Sequence, residues 1–367
     1  MDEVMPERRF SPREVTASAQ NVPNLSNTTM SGDGLVTLSD IHSTYDIFKT
    51  YPSDYYHKTP LLSGAECLFK IKGNTRLYLK LENTQVTGSF KVRGVINQFR
   101  NIPSGYGTNE HHLVSMSAGN YGKAFAYIAS KLGLKGTIIM PDTAPDNREI
   151  LIKSYGIVVE RLPTAQLMTG INRHCTEDGM LFLHPYDDVN IIAGHGTIGL
   201  EILEELPEPD IVLVSCGGGG VLSGIAAAIR LSGREKCRIY GVEPEGSCTM
   251  YESFKAGHPI ERPVKSVAAG LSPPFAGAIC YNHCKMYVDD ILLVTDPEIL
   301  SSMMCLYHTG LVVEPSGAAA FAALLFGKVP NVDDKKVVVV ITGGNVSPDE
   351  LLHYSKSAAH LDVQTGR

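Results

Sequence analysis

Residues 87–94, which read Thr-Gly-Ser-Phe-Lys-Val-Arg-Gly, contain a lysine whose neighbours could change its chemistry. A lysine amine becomes a nucleophile near pH 7 when it is removed from water or placed beside a second cation. Phe90 could supply an apolar wall beside Lys91, and Arg93 could supply the second cation. Lys91 is therefore a candidate covalent catalyst. Taken alone, the segment favours the simpler alternative of an exposed lysine at the start of a helix.

A glycine run lies between a short apolar strand and a predicted helix, and consists of Gly217, Gly218, Gly219 and Gly220. Residues without side chains allow several backbone N–H groups to converge on a phosphate, and the helix dipole favours the anion. The run does not fit the G-x-G-x-x-G pattern, and Ile225 follows Gly224 where the phosphate loop of NTPases requires lysine. The run predicts a phosphate site other than a nucleotide site, with a plain connecting turn as the alternative.

Polar residues also follow two other predicted strands. Thr342 comes directly after the apolar residues 337–341, a run typical of a strand buried on both faces. Open α/β sheets bind ligands at the carboxyl ends of their strands. Residues 117–120, Ser-Ala-Gly-Asn, follow another strand and begin a helix, which is again a position that favours an anion. By themselves, Thr342 could be a strand end and Asn120 an ordinary helix cap.

Together these motifs resemble those of one enzyme family. Residues 89–94 are similar to the pyridoxal-phosphate attachment motif of the serine/threonine dehydratases and serine racemases. Residues 117–120, 217–220 and 342–345 match the same family in the same order. The resemblance extends from about residue 41 to about residue 348. It implies an α/β protein of fold type II, similar to the tryptophan synthase β subunit. Such a protein has two α/β domains with mostly parallel sheets, and holds pyridoxal 5′-phosphate in the cleft between them.

The resemblance also implies which residues contact the cofactor. They are Phe90, Lys91, Asn120, Gly217, Gly218, Gly219, Gly220, Glu314 and Thr342. Lys91 would carry the cofactor covalently and remove the Cα proton of the substrate. Thr342 would place a neutral hydroxyl at the pyridine nitrogen, where a carboxylate would make the ring a deeper electron sink. A shallower sink suits a carbanion that expels a β-hydroxyl promptly.

The same resemblance implies that a loop and the start of the following helix hold the amino-acid substrate. The residues concerned are Ser117, Ala118, Gly119, Asn120 and Tyr121. Racemases need a second acid/base on the opposite face of Cα, and the serine that fills this role in them is replaced here by Ala118. The resemblance therefore favours elimination from L-threonine, L-serine or a related 3-hydroxy amino acid, giving a 2-oxo acid and ammonia. A serine or aspartate racemase and a catalytically silent cofactor-binding protein are the alternatives.

Metal ligands are sparse in this sequence. The racemases hold a divalent ion with acidic side chains after a strand; Glu243 matches one of these acids, but Thr249 stands in place of the second. A monovalent or divalent cation near Glu243, completed by carbonyl oxygens, is retained as an expectation. Cys280, His283 and Cys284 lie close together, but a closed zinc site needs four ligands and no second cluster is evident.

Composition narrows the classes of partner. The net charge of −7 is accompanied by no Lys/Arg-rich run, which argues against a nucleic-acid partner. No apolar stretch has the length of a membrane span, and the acidic N-terminus does not resemble a signal peptide. We therefore expect a cytoplasmic protein that acts on a small amino acid, and, by analogy with the family, a homodimer.

The order of predicted elements gives the domain boundaries. Residues 1–38 are polar and aperiodic and are predicted to form a flexible tail. Strands then alternate with helices, which implies parallel sheets covered on both faces. Residues 39–111 and 189–367 would form the large cofactor-binding domain, and residues 112–188 a small inserted domain. Residues 257–290, rich in proline and glycine, are predicted as loops.

Overall fold

Two β-sheets organise the computed structural model, which describes residues 34–69, 71 and 73–358. The strands of the larger sheet are Leu61–Leu62 (β1), Arg76–Leu81 (β2), Ile211–Ser215 (β7), Arg238–Pro244 (β8), Asp290–Val294 (β9) and Lys336–Ile341 (β10). The strands of the smaller sheet are Leu113–Met116 (β3), Gly136–Pro141 (β4), Val158–Leu162 (β5) and Leu181–Phe182 (β6). The spatial orders are β1-β2-β10-β7-β8-β9 and β5-β4-β3-β6. The strands of each sheet pair in parallel, except that β1 is antiparallel to β2.

Helices alternate with these strands along the chain. They are Leu38–Phe48 (α1), Lys91–Arg100 (α2), Asn120–Leu132 (α3), Asp146–Ser154 (α4), Leu167–Glu177 (α5), Val189–Glu205 (α6), Gly220–Leu231 (α7), Thr249–Ala256 (α8), Ala278–Tyr287 (α9), Asp296–His308 (α10), Pro315–Leu325 (α11) and Pro348–Ala358 (α12). Within the described residues, no helix has both the length and the apolar character needed to cross a membrane. The predicted α/β fold with mostly parallel sheets is confirmed.

The central strand β10 shows why the larger sheet is covered on both faces. Successive side chains of a strand point to opposite faces. Val338 and Val340 pack in one core with α6 and α7, while Val337, Val339 and Ile341 pack in a second core with α10 and α11. All five side chains are completely buried. This explains the uninterrupted apolar run in the sequence, because a strand between two layers has no polar face.

Glycines set the position of the lysine-bearing helix α2. A Cβ atom at Gly194 of α6 would lie 2.6 Å from the carbonyl oxygen of Arg93, so the two helices approach at backbone contact. A Cβ atom at Gly224 of α7 would lie 2.4 Å from the carbonyl oxygen of Ile192 in α6. Helix α6 therefore connects α2 to α7 through close backbone contacts. The lysine at the start of α2 and the glycine run before α7 are thereby held relative to each other.

The prediction for residues 257–290 is wrong in its second half, which contains α9 and the first residue of β9. The buried residues of α9 are Cys280, Tyr281, His283 and Cys284. Because cysteine, histidine and tyrosine do not form a clear apolar stripe in the sequence, the helical period was not recognised. The helices α1, α8 and α12 were likewise not predicted.

The predicted flexible tail extends too far into the fold. Residues 1–33 lie outside the described residues, but Val36 is only 4% exposed and α1 begins at Leu38. The division into a large and an inserted domain stays a prediction. All strands of the smaller sheet come from residues 113–182, whereas the larger sheet takes strands from both sides of that segment.

Candidate active site

Lys91 is the first residue of α2, and its amine lies beside a carbonyl group and two aromatic rings. Its Nζ atom donates a hydrogen bond to the carbonyl oxygen of Pro185 at 3.1 Å. The same atom lies 5.1 Å from the ring centroid of Phe90 and 5.9 Å from that of Tyr121. Burial lowers the pKa of Lys91 from 10.5 to about 8, with Cys280 acting weakly in the opposite direction. A substantial fraction of the amine is therefore neutral and nucleophilic at slightly alkaline pH.

Arg93 does not supply the second cation that the sequence suggested. Residues two apart on a helix face different sides. The Arg93 guanidinium points into the interior, where it donates to Glu82 and Glu201, each at 2.7 to 2.9 Å. Burial would lower the pKa of Arg93, but Glu201 and Glu82 raise it well above its usual value. The low pKa of Lys91 thus comes from burial and not from Arg93.

The glycine run forms a turn that side chains could not occupy. Gly219 has a φ of 102°, in the left-handed region, and a Cβ atom there would lie 2.8 Å from Cβ of Cys280. A Cβ atom at Gly218 would lie 2.3 Å from the ring of Tyr186. The turn leads directly into the twelve residues of α7. Backbone N–H groups converge at such a turn, and the helix dipole adds positive potential, so the turn suits a phosphate.

Every residue predicted to contact the cofactor lines one cavity, whose volume is about 480 Å³ including its open mouth. Lys91 lies there together with the glycine run, Asn120, Glu314 and Thr342. The donors in this cavity fit pyridoxal 5′-phosphate, because an amine that is partly neutral and an anion-binding turn are both present. The cavity is also lined by Tyr186, Ser215, Gly270, Pro273 and Ser316, which sequence analysis missed. These residues come from segments without a recognisable motif.

A chain of hydrogen bonds crosses the cavity edge. Asn120 Nδ2 donates to Glu314 Oε1, and Asn120 Oδ1 accepts from Asn345 Nδ2 at 2.7 Å. Lys123 Nζ in turn donates to Asn345 Oδ1 at 2.7 Å. Burial raises the pKa of Glu314 to about 7, although the hydrogen bond from Asn120 opposes the shift. Glu314 can therefore exchange a proton close to neutral pH.

The hydroxyl of Thr342 lies at the carboxyl end of β10, as predicted from the apolar run. Its Oγ1 atom donates to the carbonyl oxygen of Ser316 at 3.4 Å. The Ser316 hydroxyl accepts from the N–H of Gly270 at 3.0 Å. These contacts hold neutral hydroxyl groups at this wall of the cavity.

The predicted substrate loop separates into two parts. Ala118, Gly119 and Asn120 line a second, shallow cavity of about 230 Å³ including its open mouth, which also includes Lys123 and Arg148. Ser117 and Tyr121 are not among the residues lining either cavity. Ser117 Oγ accepts from the N–H groups of Gly119 at 3.2 Å and Gly122 at 3.1 Å, which shapes the loop.

Tyr121 faces the interior of the protein. Its hydroxyl donates to Gln98 Oε1 at 2.7 Å, and only 2% of the residue is exposed. Burial raises the pKa of Tyr121 above its usual range. Tyr121 therefore packs in the interior next to the loop of residues 117–120.

The cation expected near Glu243 is not supported. Both carboxylate oxygens accept backbone N–H groups, one from Met250 at 3.0 Å and one from Tyr251 at 2.8 Å. Burial raises the pKa of Glu243 to about 8, which disfavours the charged form that a cation would require. Among the described residues, no group of three or more His, Cys, Asp or Glu side chains could hold a metal.

Comparisons with known proteins agree with this geometry. The family model for pyridoxal-phosphate dependent enzymes matches residues 52–343. A protein from Staphylococcus aureus (strain USA300), named L-threonine dehydratase catabolic TdcB, is 36% identical over 319 residues, which cover 85% of this chain and 90% of the relative. The crystal structure of serine racemase from Dictyostelium discoideum is 30% identical with a TM-score of 0.76, and covers 85% of this chain and 99% of that chain. The structure of maize serine racemase is 28% identical with a TM-score of 0.77, and covers 88% of this chain and 98% of that chain. This chain therefore belongs to the family of pyridoxal-phosphate dependent enzymes.

Proposed function

We propose that this protein catalyses β-elimination from L-threonine, L-serine or a related 3-hydroxy amino acid, with release of a 2-oxo acid and ammonia. The observation that carries the proposal is the position of Lys91, whose amine has a pKa of about 8 and shares one cavity with the glycine turn. The similarity to the protein named L-threonine dehydratase supports the same reaction class.

When bound, the cofactor supplies an aldehyde that can join the lysine amine and a ring that accepts the electron pair from Cα. The N–H groups of the turn at Gly217, Gly218, Gly219 and Gly220 would hold the phosphate. Phe90 would provide an apolar wall, Asn120 would donate from Nδ2, and Thr342 would place its hydroxyl at the ring nitrogen.

Lys91 is the group that we expect to move the Cα proton. An amine with a pKa of about 8 is a stronger acid than an exposed lysine and can both accept and return a proton near neutral pH. The carbonyl oxygen of Pro185 orients its Nζ atom, and the ring of Phe90 covers one side of the amine. Glu314, with a pKa of about 7, can hold a second proton at its carboxyl group.

Ala118 favours elimination over racemisation. It lines the second cavity, next to the cavity with Lys91, and its methyl group has no proton to deliver to Cα. Inversion requires such a donor on the face opposite Lys91. The serine racemase structure at 30% identity keeps racemisation as the second candidate. A catalytically silent protein is disfavoured because Lys91, the glycine turn and Thr342 are all intact.

The test uses purified protein reconstituted with pyridoxal 5′-phosphate. We expect wild-type protein to absorb at roughly 410–420 nm and to release 2-oxo acid from a panel of L- and D-3-hydroxy amino acids. Lys91→Ala removes the nucleophile, so both the absorbance band and turnover should disappear. Lys131→Ala, an exposed lysine paired with Asp54, is the matched control and should retain both.

Two results would contradict the proposal. A wild-type protein that stays colourless after reconstitution would exclude cofactor attachment at Lys91. Inversion of configuration faster than release of 2-oxo acid would make racemisation the main reaction. Because Ala118 has no transferable proton, another residue would then have to donate it.

Assembly and location stay predictions. A homodimer rests on analogy with the family, and a cytoplasmic location rests on composition. The proposed partner is a small amino acid, and the net charge of −7 does not favour nucleic acid.

A further inference from the structure

The second cavity, next to the substrate loop, contains two basic side chains. It shares Asn120 with the Lys91 cavity and is otherwise lined by different residues, among them Lys123 of α3 and Arg148 of α4. Leu151 and Ile152 provide apolar surface. The two cavities are thus neighbours, and a molecule attached beside Lys91 has this basic space adjacent to it.

Lys123 carries a charge whose hydrogen-bond partner is a neutral side chain. Its Nζ atom donates to the neutral amide oxygen of Asn345 at 2.7 Å, and no ion pair of Lys123 occurs in the part of the chain that the structure describes. Arg148, by contrast, is paired with Glu350 at 3.0 Å. Burial and the nearby charge of Arg148 both lower the pKa of Lys123, whereas Glu314 opposes the shift. A bound anion would offset this electrostatic repulsion between the two cations.

The position of Lys123 separates it from the group expected to bind the α-carboxylate. Asn120, at the start of α3, lines both cavities, and the backbone N–H groups of a helix start suit one carboxylate. Lys123 lies three residues further along α3, roughly 4.5 Å of helix rise. Residues three apart lie on the same face of a helix, so a second anionic group on a substrate held at the helix start would face Lys123.

We propose that the cavity formed by Ala118, Lys123 and Arg148 is a subsite for a second acidic group, so that the preferred substrate is a 3-hydroxy amino acid with a side-chain carboxylate. This inference depends on the proposed elimination reaction. The Cα–H electron pair forms the Cα–Cβ double bond and the β-hydroxyl departs as water. One water then replaces the nitrogen, so that 3-hydroxyaspartate yields oxaloacetate and ammonium.

The experiment compares two substrates that differ at one substituent. In 3-hydroxyaspartate a carboxylate replaces the methyl group of threonine, and both diastereomers are assayed with the reconstituted enzyme for release of 2-oxo acid. We expect kcat/KM for the better 3-hydroxyaspartate diastereomer to exceed that for L-threonine by about tenfold or more, as one charge-assisted contact provides. Lys123→Gln should remove most of this preference, and Lys123→Arg should retain it.

Lys131→Gln is the matched control for a change of charge on the same helix. Lys131 is paired with Asp54 and is not among the residues lining either cavity, so the ratio of the two kcat/KM values should not change. A second measurement follows binding without turnover. L-Aspartate and L-alanine lack a β-hydroxyl, and calorimetry with the reconstituted wild-type protein should show tighter binding of L-aspartate. Lys123→Gln should remove that difference.

The outcomes separate this inference from the proposed function. If wild-type protein does not prefer 3-hydroxyaspartate, or if Lys123→Gln lowers both kcat/KM values equally, Lys123 does not bind a side-chain carboxylate and the inference is overturned. If no substrate gives a 2-oxo acid, the proposed elimination is wrong. The calorimetric measurement then tests the subsite by itself. A preference for L-aspartate that depends on Lys123 then supports the subsite, and equal binding of the two amino acids overturns it.

Discussion

Two cations that lie two residues apart on α2 have opposite environments. Lys91 faces the cavity, where its nearest polar partner is a carbonyl oxygen, and burial lowers its pKa to about 8. Arg93 faces the interior, where Glu82 and Glu201 raise its pKa despite complete burial. Burial alone therefore makes a reactive amine, while burial with two carboxylates makes a permanently charged structural group.

The interior cluster around Arg93 is balanced in charge. Lys80, Glu82, Arg93 and Glu201 are all completely buried, and they carry two positive and two negative charges. Lys80 Nζ donates to Glu201 and to the carbonyl oxygen of Thr59. Burial would raise the pKa of Glu201, but Arg93 and Lys80 together lower it to about 2. Burial lowers the pKa of Lys80, but its Nζ lies 2.5 Å from Glu201 Oε2, and this contact keeps the pair ionised.

Removing Arg93 should produce the largest effect on stability. In Arg93→Met, Lys80 alone would face two buried carboxylates, and breaking a buried ion pair in this way costs about 3–5 kcal/mol of unfolding free energy. Urea unfolding of the cofactor-free protein measures the loss. Lys131→Met breaks a more exposed pair and should cost about 1 kcal/mol or less. A loss below about 1 kcal/mol for Arg93→Met would show that the charges in this cluster are replaceable.

Removing the Lys91 charge should increase the free energy of unfolding, in contrast to the removal of Arg93. Lys91→Met eliminates a cation for which the described part of the chain provides no acidic partner, so the cofactor-free variant should be more stable than wild type at pH 7, by about 1–2 kcal/mol. The folded pKa is about 8 and the ordinary value is 10.5, so between these values the unfolded chain binds more protons than the folded protein. Wild-type stability therefore rises with pH across this window, and the advantage of Lys91→Met should shrink.

Urea midpoints of wild type and Lys91→Met at pH 7 and pH 9 test this sign. A variant that is less stable than wild type at pH 7 would mean that the amine is stabilised by its surroundings. The contrast with Arg93 would then be lost.

The smallest effect concerns the rate at which cofactor-free protein attaches pyridoxal 5′-phosphate. Only the neutral amine attacks an aldehyde, so the rate should rise with pH and reach half its maximum near pH 8, following the pKa of Lys91. Stopped-flow absorbance measures this rate in a series of buffers. A half-maximum near pH 10 would show that Lys91 behaves as an exposed lysine.

The site was predictable to the extent that it consists of local motifs. The glycine run, Thr342 and Asn120 each follow a strand, and parallel strands bring such ends to the same edge. The structure brings all of these residues to one cavity with Lys91, and their contacts with the cofactor stay predictions. Lys123 and Arg148 were not predicted, because a lysine or arginine on a helix is usually exposed and no spacing rule marks it as unpaired.

The sequence by itself determined the family, the alternation of strands and helices, and the lysine and glycine motifs, since each of these depends on residues that are close together in the chain. The tertiary structure alone decided which cations have partners. Glu201 is 108 residues from Arg93 in the chain, yet they are hydrogen bonded in the interior. A pKa depends on the burial and the charges around a group, so chain neighbours could not reveal that Arg93 is paired while Lys91 and Lys123 have no acidic partner among the residues that the structure describes.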